Sequence, residues 1–406
     1  MNFTRLHLLL ALSISAICIS IDAKNPKRPW TFLVYMAADN NLNPEADENI
    51  AQMVQASHST NGYILVYLNI KRSGQSKRTQ KLVIQNGQIH QEGPTTVEDS
   101  GDENTLIKAL TWAVTEYPSD HLIVDLWNHG SGSLNRRMQQ EKGVCYDDTT
   151  GNYLTDLKYK RAFDIIVNQH LAGKKIDIIT FDACLMADIE VAYTLMPYAH
   201  YLVSSQETVP GPGFDYTSIL SLFEQTNPDA ETLAKWMVKT YDNYYKNSGQ
   251  AYTLSAVNLD KLTPAVNSLN AAANLLTTIV SSDATGTVAN VITTVTDPSV
   301  CPHFDEPTYL DLYNVYANLM SNIAKMKLSS ITGNQLKKTL RSAMSNLAYT
   351  VIANVHSKNY AKVRGLSIYL CDLNVGIEPS YNNLYWTTQN PSWLNFLQAY
   401  VNAATV

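Results

Sequence analysis

Five short segments of this chain are apolar on both sides of an extended backbone: residues 31–37, 63–68, 122–127, 176–181 and 201–205. A half-exposed strand alternates apolar and polar residues. A run that is apolar nearly throughout must be covered on both faces, as in a parallel sheet packed between helices. Helical patterns lie between the runs, at 46–54, 103–116, 158–170 and 187–195. Pro118, Gly173 and Pro197 supply the breaks. This alternation predicts an open α/β sheet within residues 30 to about 225. The remainder, 226–406, reads as a mixed region. Helices are expected at 229–245, 262–280, 308–324 and 335–347, with a strand at 252–259. A late strand at 365–370 is expected to rejoin the main sheet.

The first residues read differently. Arg5 precedes an apolar run over 8–21, then Asp22-Ala23 and a basic stretch over 24–28. This is the pattern of a secretory signal peptide over 1–23, removed in the mature protein. A membrane anchor is the alternative, but the run is short beside the roughly 20 apolar residues that span a bilayer. Lipoprotein cleavage before Cys18 is disfavoured by the bulky Ile17. No later segment reads as a membrane span. An exported protein, secreted, periplasmic or surface-associated, is therefore expected. Its remaining cysteines, Cys145, Cys184, Cys301 and Cys371, are widely spaced and contain no C-x-x-C pair. They form neither a disulfide framework nor a zinc motif, and leave room for a reactive thiol.

Only 16% of the 406 residues are charged and the net charge is −6. That disfavours a nucleic-acid partner, which selects basic surfaces, and the apolar content excludes disorder. No H-E-x-x-H, P-loop or dinucleotide fingerprint occurs. In open α/β sheets, sites form beyond the carboxyl ends of the strands. The third run leads into Asn128-His129-Gly130-Ser131-Gly132 and the fourth into Asp182-Ala183-Cys184. Both lie at one rim, where imidazole and thiol can act as a dyad. Gly130 leaves room for a substrate backbone. Its N–H and that of Cys184 could hold an oxyanion. Taken singly, a strand-end cysteine is more often inert core and a strand-end histidine a satisfied polar group.

The blocks Met36-Ala37-Ala38-Asp39-Asn40-Asn41-Leu42, Asn128-His129-Gly130-Ser131-Gly132, Asp182-Ala183-Cys184-Leu185-Met186 and Glu207-Thr208-Val209-Pro210-Gly211 resemble the clostripain family of cysteine peptidases. The resemblance covers most of residues 30 to 220, and residues 365–370 resemble the family's late strand. It implies a caspase-like three-layer α/β/α sandwich with a mostly parallel sheet. Residues 24–225 would be the catalytic core, and 226–406 a mixed C-terminal region partly returning to the sheet. It implies His129 and Cys184 as the dyad, and cleavage after arginine or lysine in protein or peptide substrates. Caspase specificity does not carry over, because Asp-Ala-Cys stands where caspases have Gln-Ala-Cys. Asp182 lies on the side of Cys184 in an extended chain, and a carboxylate there could pair with a guanidinium. Asp182 could equally cap the following helix, and Asp215 is the alternative pocket acid. Ser205, Gln206 and Glu207 are expected along the cleft through backbone contacts, and Asp39 as a support of the rim.

Family members are often processed after basic residues. The 133–148 segment carries Arg136, Arg137 and Lys142 as candidate self-cleavage points, giving either a monomer or two associated fragments; a polar loop that is never cut is the alternative. Cys145 in this segment lacks a strand-end setting. No cofactor is required by this chemistry and no metal ligand is assigned. Calcium is an optional ion, with Asp147-Asp148 and 99–103 as the acidic places for it, although neither has the spaced ladder of an EF-hand loop. The expected function is an exported cysteine endopeptidase. The alternative is a catalytically inactive peptide-binding protein on the same scaffold.

Overall fold

The computed structural model describes residues 24–134, 143–225 and 227–404. The expected signal peptide, and Arg136, Arg137 and Lys142, lie outside the described residues. Thirteen strands are present among those described: β1 (Arg28–Ala38), β2 (Tyr63–Ile70), β3 (Arg78–Gln85), β4 (Gln88–Thr96), β5 (Ser119–Trp127), β6 (Val144–Asp147), β7 (Asn152–Leu154), β8 (Ile176–Asp182), β9 (Ala199–Ser204), β10 (Thr253–Asn258), β11 (Tyr309–Asp311), β12 (Val351–His356) and β13 (Ser367–Tyr369). Nine form one sheet in the order β12-β10-β9-β8-β5-β1-β2-β3-β4. Its middle, β9-β8-β5-β1-β2, is parallel, as the apolar runs require.

The sheet is buried on both faces. Along β1, Leu33, Tyr35 and Ala37 point into one core while Phe32, Val34 and Met36 point into the other. Helices α1 (Asn43–Ala56) and α5 (Tyr216–Leu220) cover the second face together with the helix Ala230–Tyr245. Helices α2 (Glu103–Glu116), α3 (Asp156–Ile165) and α4 (Ile189–Leu195) cover the first, joined by the helices Leu262–Ser281, Ser330–Thr350 and Ser392–Ala404. Fully burying one such aliphatic or aromatic side chain contributes about 2 kcal/mol, so uninterrupted apolar runs are the signature of these central strands. The architecture is the three-layer α/β/α sandwich expected.

Two departures from the sequence reading concern the sheet's margins. The β3–β4 hairpin, which extends the sheet beyond β2, is not marked by an apolar run. β4 is exposed at nearly every position, and the turn is made by Asn86 (φ 52°) and Gly87 (φ 73°). A two-residue loop with both φ values positive matches the strands' twist, and Asn-Gly suits it best. The late strand β13 does not rejoin the main sheet. It pairs with β11 in a separate antiparallel ribbon. The place beside β10 is taken by β12, and Gly365 (φ 95°) turns the chain away. Its carbonyl is held by the Ser255 hydroxyl at 2.6 Å. Residues 226–406 do return to the sheet, but through β10 and β12.

Candidate active site

β5 and β8 are adjacent and parallel, with Trp127 paired to Asp182. The residues that follow them therefore leave the sheet at one rim. The ladder continues for one more bond, from Asn128 N–H to the Asp182 carbonyl at 3.2 Å. The Asn128 side-chain amide donates to the carbonyls of Ala37 and Tyr146, fixing the start of the loop. Gly130 then packs directly on the cysteine segment. A Cβ at this position would stand 2.5 Å from the Cys184 carbonyl oxygen and 3.1 Å from its nitrogen. Only glycine allows this approach. The structure packs Gly130 on Cys184, and His129 precedes Gly130 on the loop that leaves β5.

Cys184 is half-buried, and the Val209 N–H points at its sulfur at 3.3 Å. Burial pushes its thiol up to about 11. The Val209 contact opposes this and the nearby carboxylates of Glu207, Asp182 and Asp305 add to it. Burial likewise pushes His129 below the usual imidazole range, against the opposing charges of Asp148 and Glu45. Burial thus disfavours the charged form of both Cys184 and His129. The His129 Nε2 lies 2.6 Å from the Asn41 Oδ1. Beyond the cysteine, Leu185 adopts φ 67°, a left-handed conformation uncommon outside glycine. The resulting turn brings the Leu185 N–H to the Glu207 carbonyl at 3.2 Å.

Asp182 ends β8 and is 5% exposed. It does not cap a helix: α4 begins later and is capped by Asp188. The Asp182 carboxylate accepts the Phe214 N–H at 2.9 Å and faces the Tyr216 hydroxyl at 3.0 Å. That same hydroxyl lies 2.7 Å from the Asp125 carboxylate, which also accepts the Asp182 N–H. One phenolic proton can serve only one of these carboxylates at a time. Burial raises both, Asp125 far above the carboxylate range and Asp182 to about 7. Gly213 (φ 69°) lies against Asp182, where a Cβ would stand 2.5 Å from its Oδ2.

Asp215 caps α5, accepting the Ser218 N–H at 3.0 Å. The side chains of Ser205, Gln206 and Glu207 are buried and tie the rim to the C-terminal region. Ser205 meets Thr253 at 2.9 Å. Gln206 bonds Asp311 and the Gly365 N–H, and Glu207 accepts from the Asp305 N–H and the Tyr360 hydroxyl. At the cysteine it is the backbone of Glu207 and Val209 that makes contact. Asp39 is buried and paired with Lys77 at 3.2 Å, in keeping with a supporting role. Cys145 is buried on β6. Asp147 pairs with Lys77 and accepts the Ser100 N–H, while Asp99 accepts from Gly101 and Asn152. Among the described residues no three His, Cys, Asp or Glu side chains cluster as metal ligands, and no helix is long and apolar enough to cross a membrane. Asn41, Asp125 and Tyr216 were not singled out from the sequence. Only Asn41 carried a signal, lying inside the first family-like block.

Comparison with known proteins gives three findings. The model of the clostripain family matches residues 34–400. Clostripain of Hathewaya histolytica is 27% identical over 227 residues, which are 48% of this chain but only 42% of that protein's length. The chain resembles a secreted C11 cysteine protease from Bacteroides thetaiotaomicron, solved with an irreversible peptide inhibitor, with a TM-score of 0.61 and 20% identity over 91% of this chain and 99% of that one. It resembles an inactive zymogen C11 protease from Parabacteroides distasonis with a TM-score of 0.64 and 19% identity over 90% and 99%. At these identities the two structures share the fold.

Proposed function

Since the chain belongs to the clostripain family, we propose that it is an exported cysteine endopeptidase that cleaves after arginine or lysine through Cys184 and His129. The observation that carries this reading is the packing of Gly130 on the Cys184 backbone, where β5 and β8 end side by side.

In the first step the neutral His129 takes the thiol proton as the sulfur attacks the scissile carbonyl carbon. The oxyanion is held by the N–H groups of Gly130 and Cys184. His129 then gives its proton to the leaving amine, and an acyl-enzyme remains on Cys184. Water, deprotonated by His129, attacks that ester; the thiolate leaves and is reprotonated. Pairing the removal of the proton with the attack suits a thiol raised to about 11, because a preformed thiolate is scarce. Asp182 would receive the basic side chain; the arriving cation favours its ionised form. Self-cleavage after Arg136, Arg137 or Lys142 belongs to the same proposal, as does an optional calcium ion. Neither is needed for the chemistry above.

The test is cleavage profiling on a peptide library, with Cys184→Ala as control. Cuts after arginine or lysine that vanish in Cys184→Ala support the reading. Turnover unchanged by that substitution would identify another nucleophile. Tight peptide binding with no turnover by the intact chain would favour the inactive binding protein.

A further inference from the structure

Asn41 occupies the apex of the loop that leaves β1, three residues past the strand's end. β1 is the sheet neighbour of β5 and runs parallel to it, with Met36 paired to Trp127. The loops after the two strands therefore emerge side by side. The first delivers Asn41, the second His129, and Asn41 Oδ1 lies 2.6 Å from His129 Nε2. Asn41 is exposed, yet the turn beneath it is fixed. Asn40 donates from its side chain to the Ala37 carbonyl at 2.9 Å and accepts the Leu42 N–H at 2.9 Å. Asn43 closes the turn onto the Asn40 carbonyl through its backbone and its side chain.

We propose that Asn41 is a positioning residue for His129, accepting the Nε2–H and so leaving the lone pair on Nδ1 as the site that exchanges protons with the thiol and the leaving amine. The inference rests on the reading of His129 and Cys184 as the reacting pair. An imidazole has two nitrogens, and the partner of one decides which tautomer the other presents. Were Nε2–H unpaired, the ring could turn about its side-chain bonds and present either nitrogen. The charged groups that His129 feels are Glu45 on α1 and Asp148 beyond β6, and both act on it through space. Asn41 is the neutral acceptor that sets orientation without adding charge. An imidazole held neutral can take the thiol's proton, so a carboxylate in this place would raise its basicity and hold it protonated to higher pH.

The experiment compares wild type, Asn41→Ala and Asn41→Asp on one arginine reporter amide across pH. Asn41→Ala should lower kcat by about 10- to 100-fold, the usual effect of losing a partner that orients a reactive imidazole, with KM little changed. Asn41→Asp keeps the acceptor and should recover most of that loss. Its carboxylate stabilises the protonated ring, so the acid limb of kcat/KM should move to higher pH by about one unit. Loss of kcat in Asn41→Ala with recovery in Asn41→Asp, at unchanged KM, is the pattern that a purely structural role would not give. A kcat within twofold of wild type in Asn41→Ala, or an unmoved limb in Asn41→Asp, overturns the proposal. If Asn41→Ala does not fold, the limb in Asn41→Asp decides alone. Hydrolysis that survives Cys184→Ala would instead overturn the reading beneath it, whatever the Asn41 variants do.

Discussion

At the residue scale, the site depends on one missing side chain as much as on two reactive ones. A Cβ on Gly130 would meet backbone atoms of Cys184, which cannot swing aside as a flexible side chain would. Gly130→Ala should therefore displace the nucleophile. Misplacement by about 1 Å can lower rate 100-fold, so kcat/KM should fall by roughly that factor while the far-ultraviolet circular dichroism is unchanged. Activity near wild type would show that the contact is not needed. The approach of Gly130 to Cys184 is legible in the sequence because the rule that strands of a parallel sheet end at one rim needs only the strands. The order of the strands was not legible. It is the adjacency of β1 and β5 that places Asn41 on the imidazole, and nothing in a linear pattern gives it. Ser205, Gln206 and Glu207 follow a strand, and the same rule gives their backbone at the rim. Where their side chains go is not legible, because their partners Thr253, Asp311, Gly365, Asp305 and Tyr360 are all distant in sequence.

At the scale of elements, the central parallel strands announced themselves because burial on both faces leaves no polar position. The margins did not. β4 has an exposed face and an exposed edge, and β13 is three residues long. The short α5 matters more than its length suggests, since it delivers Tyr216 between two buried carboxylates. Asp182 is raised to about 7. Its ionised form prevails above that pH and is lost as pH falls through it; if Asp182 receives the substrate's cation as proposed, affinity for a basic side chain follows the same course. KM for an arginine substrate should therefore fall as pH rises through about 7. Tyr216→Phe removes a hydrogen-bond donor to the carboxylate and should move this dependence to higher pH by about one unit, with kcat at saturation little changed. A KM that is flat across this range in wild type would mean that Asp182 does not receive the substrate's charge.

At the scale of the whole molecule, the two halves share one sheet and one core. β10 and β12 complete the sheet that carries the site, and the buried Glu190 on α4 accepts the Tyr369 N–H and the Tyr381 hydroxyl. A fragment of residues 24–225 should fail to give a soluble folded product; a cooperative melting transition from it would contradict this. Glu190 is pushed up to about 8, first by burial and then by the Asp188 charge. Its folded pKa exceeds its unfolded value, so its contribution is fully present below the ordinary glutamate range and declines as pH rises to about 8. The decline of Tm between pH 5 and pH 8 should be shallower in Glu190→Gln than in wild type; parallel curves would remove Glu190 from the account. The central claim is that this shared sheet converges on a single sulfur. The most direct measurement labels the intact protein with a peptide chloromethyl ketone ending in arginine and maps the adduct by mass spectrometry. One adduct on Cys184, slowed strongly in His129→Ala, is the expected result. Labelling of Cys145, Cys301 or Cys371 instead, or a rate on Cys184 indifferent to His129, would contradict it.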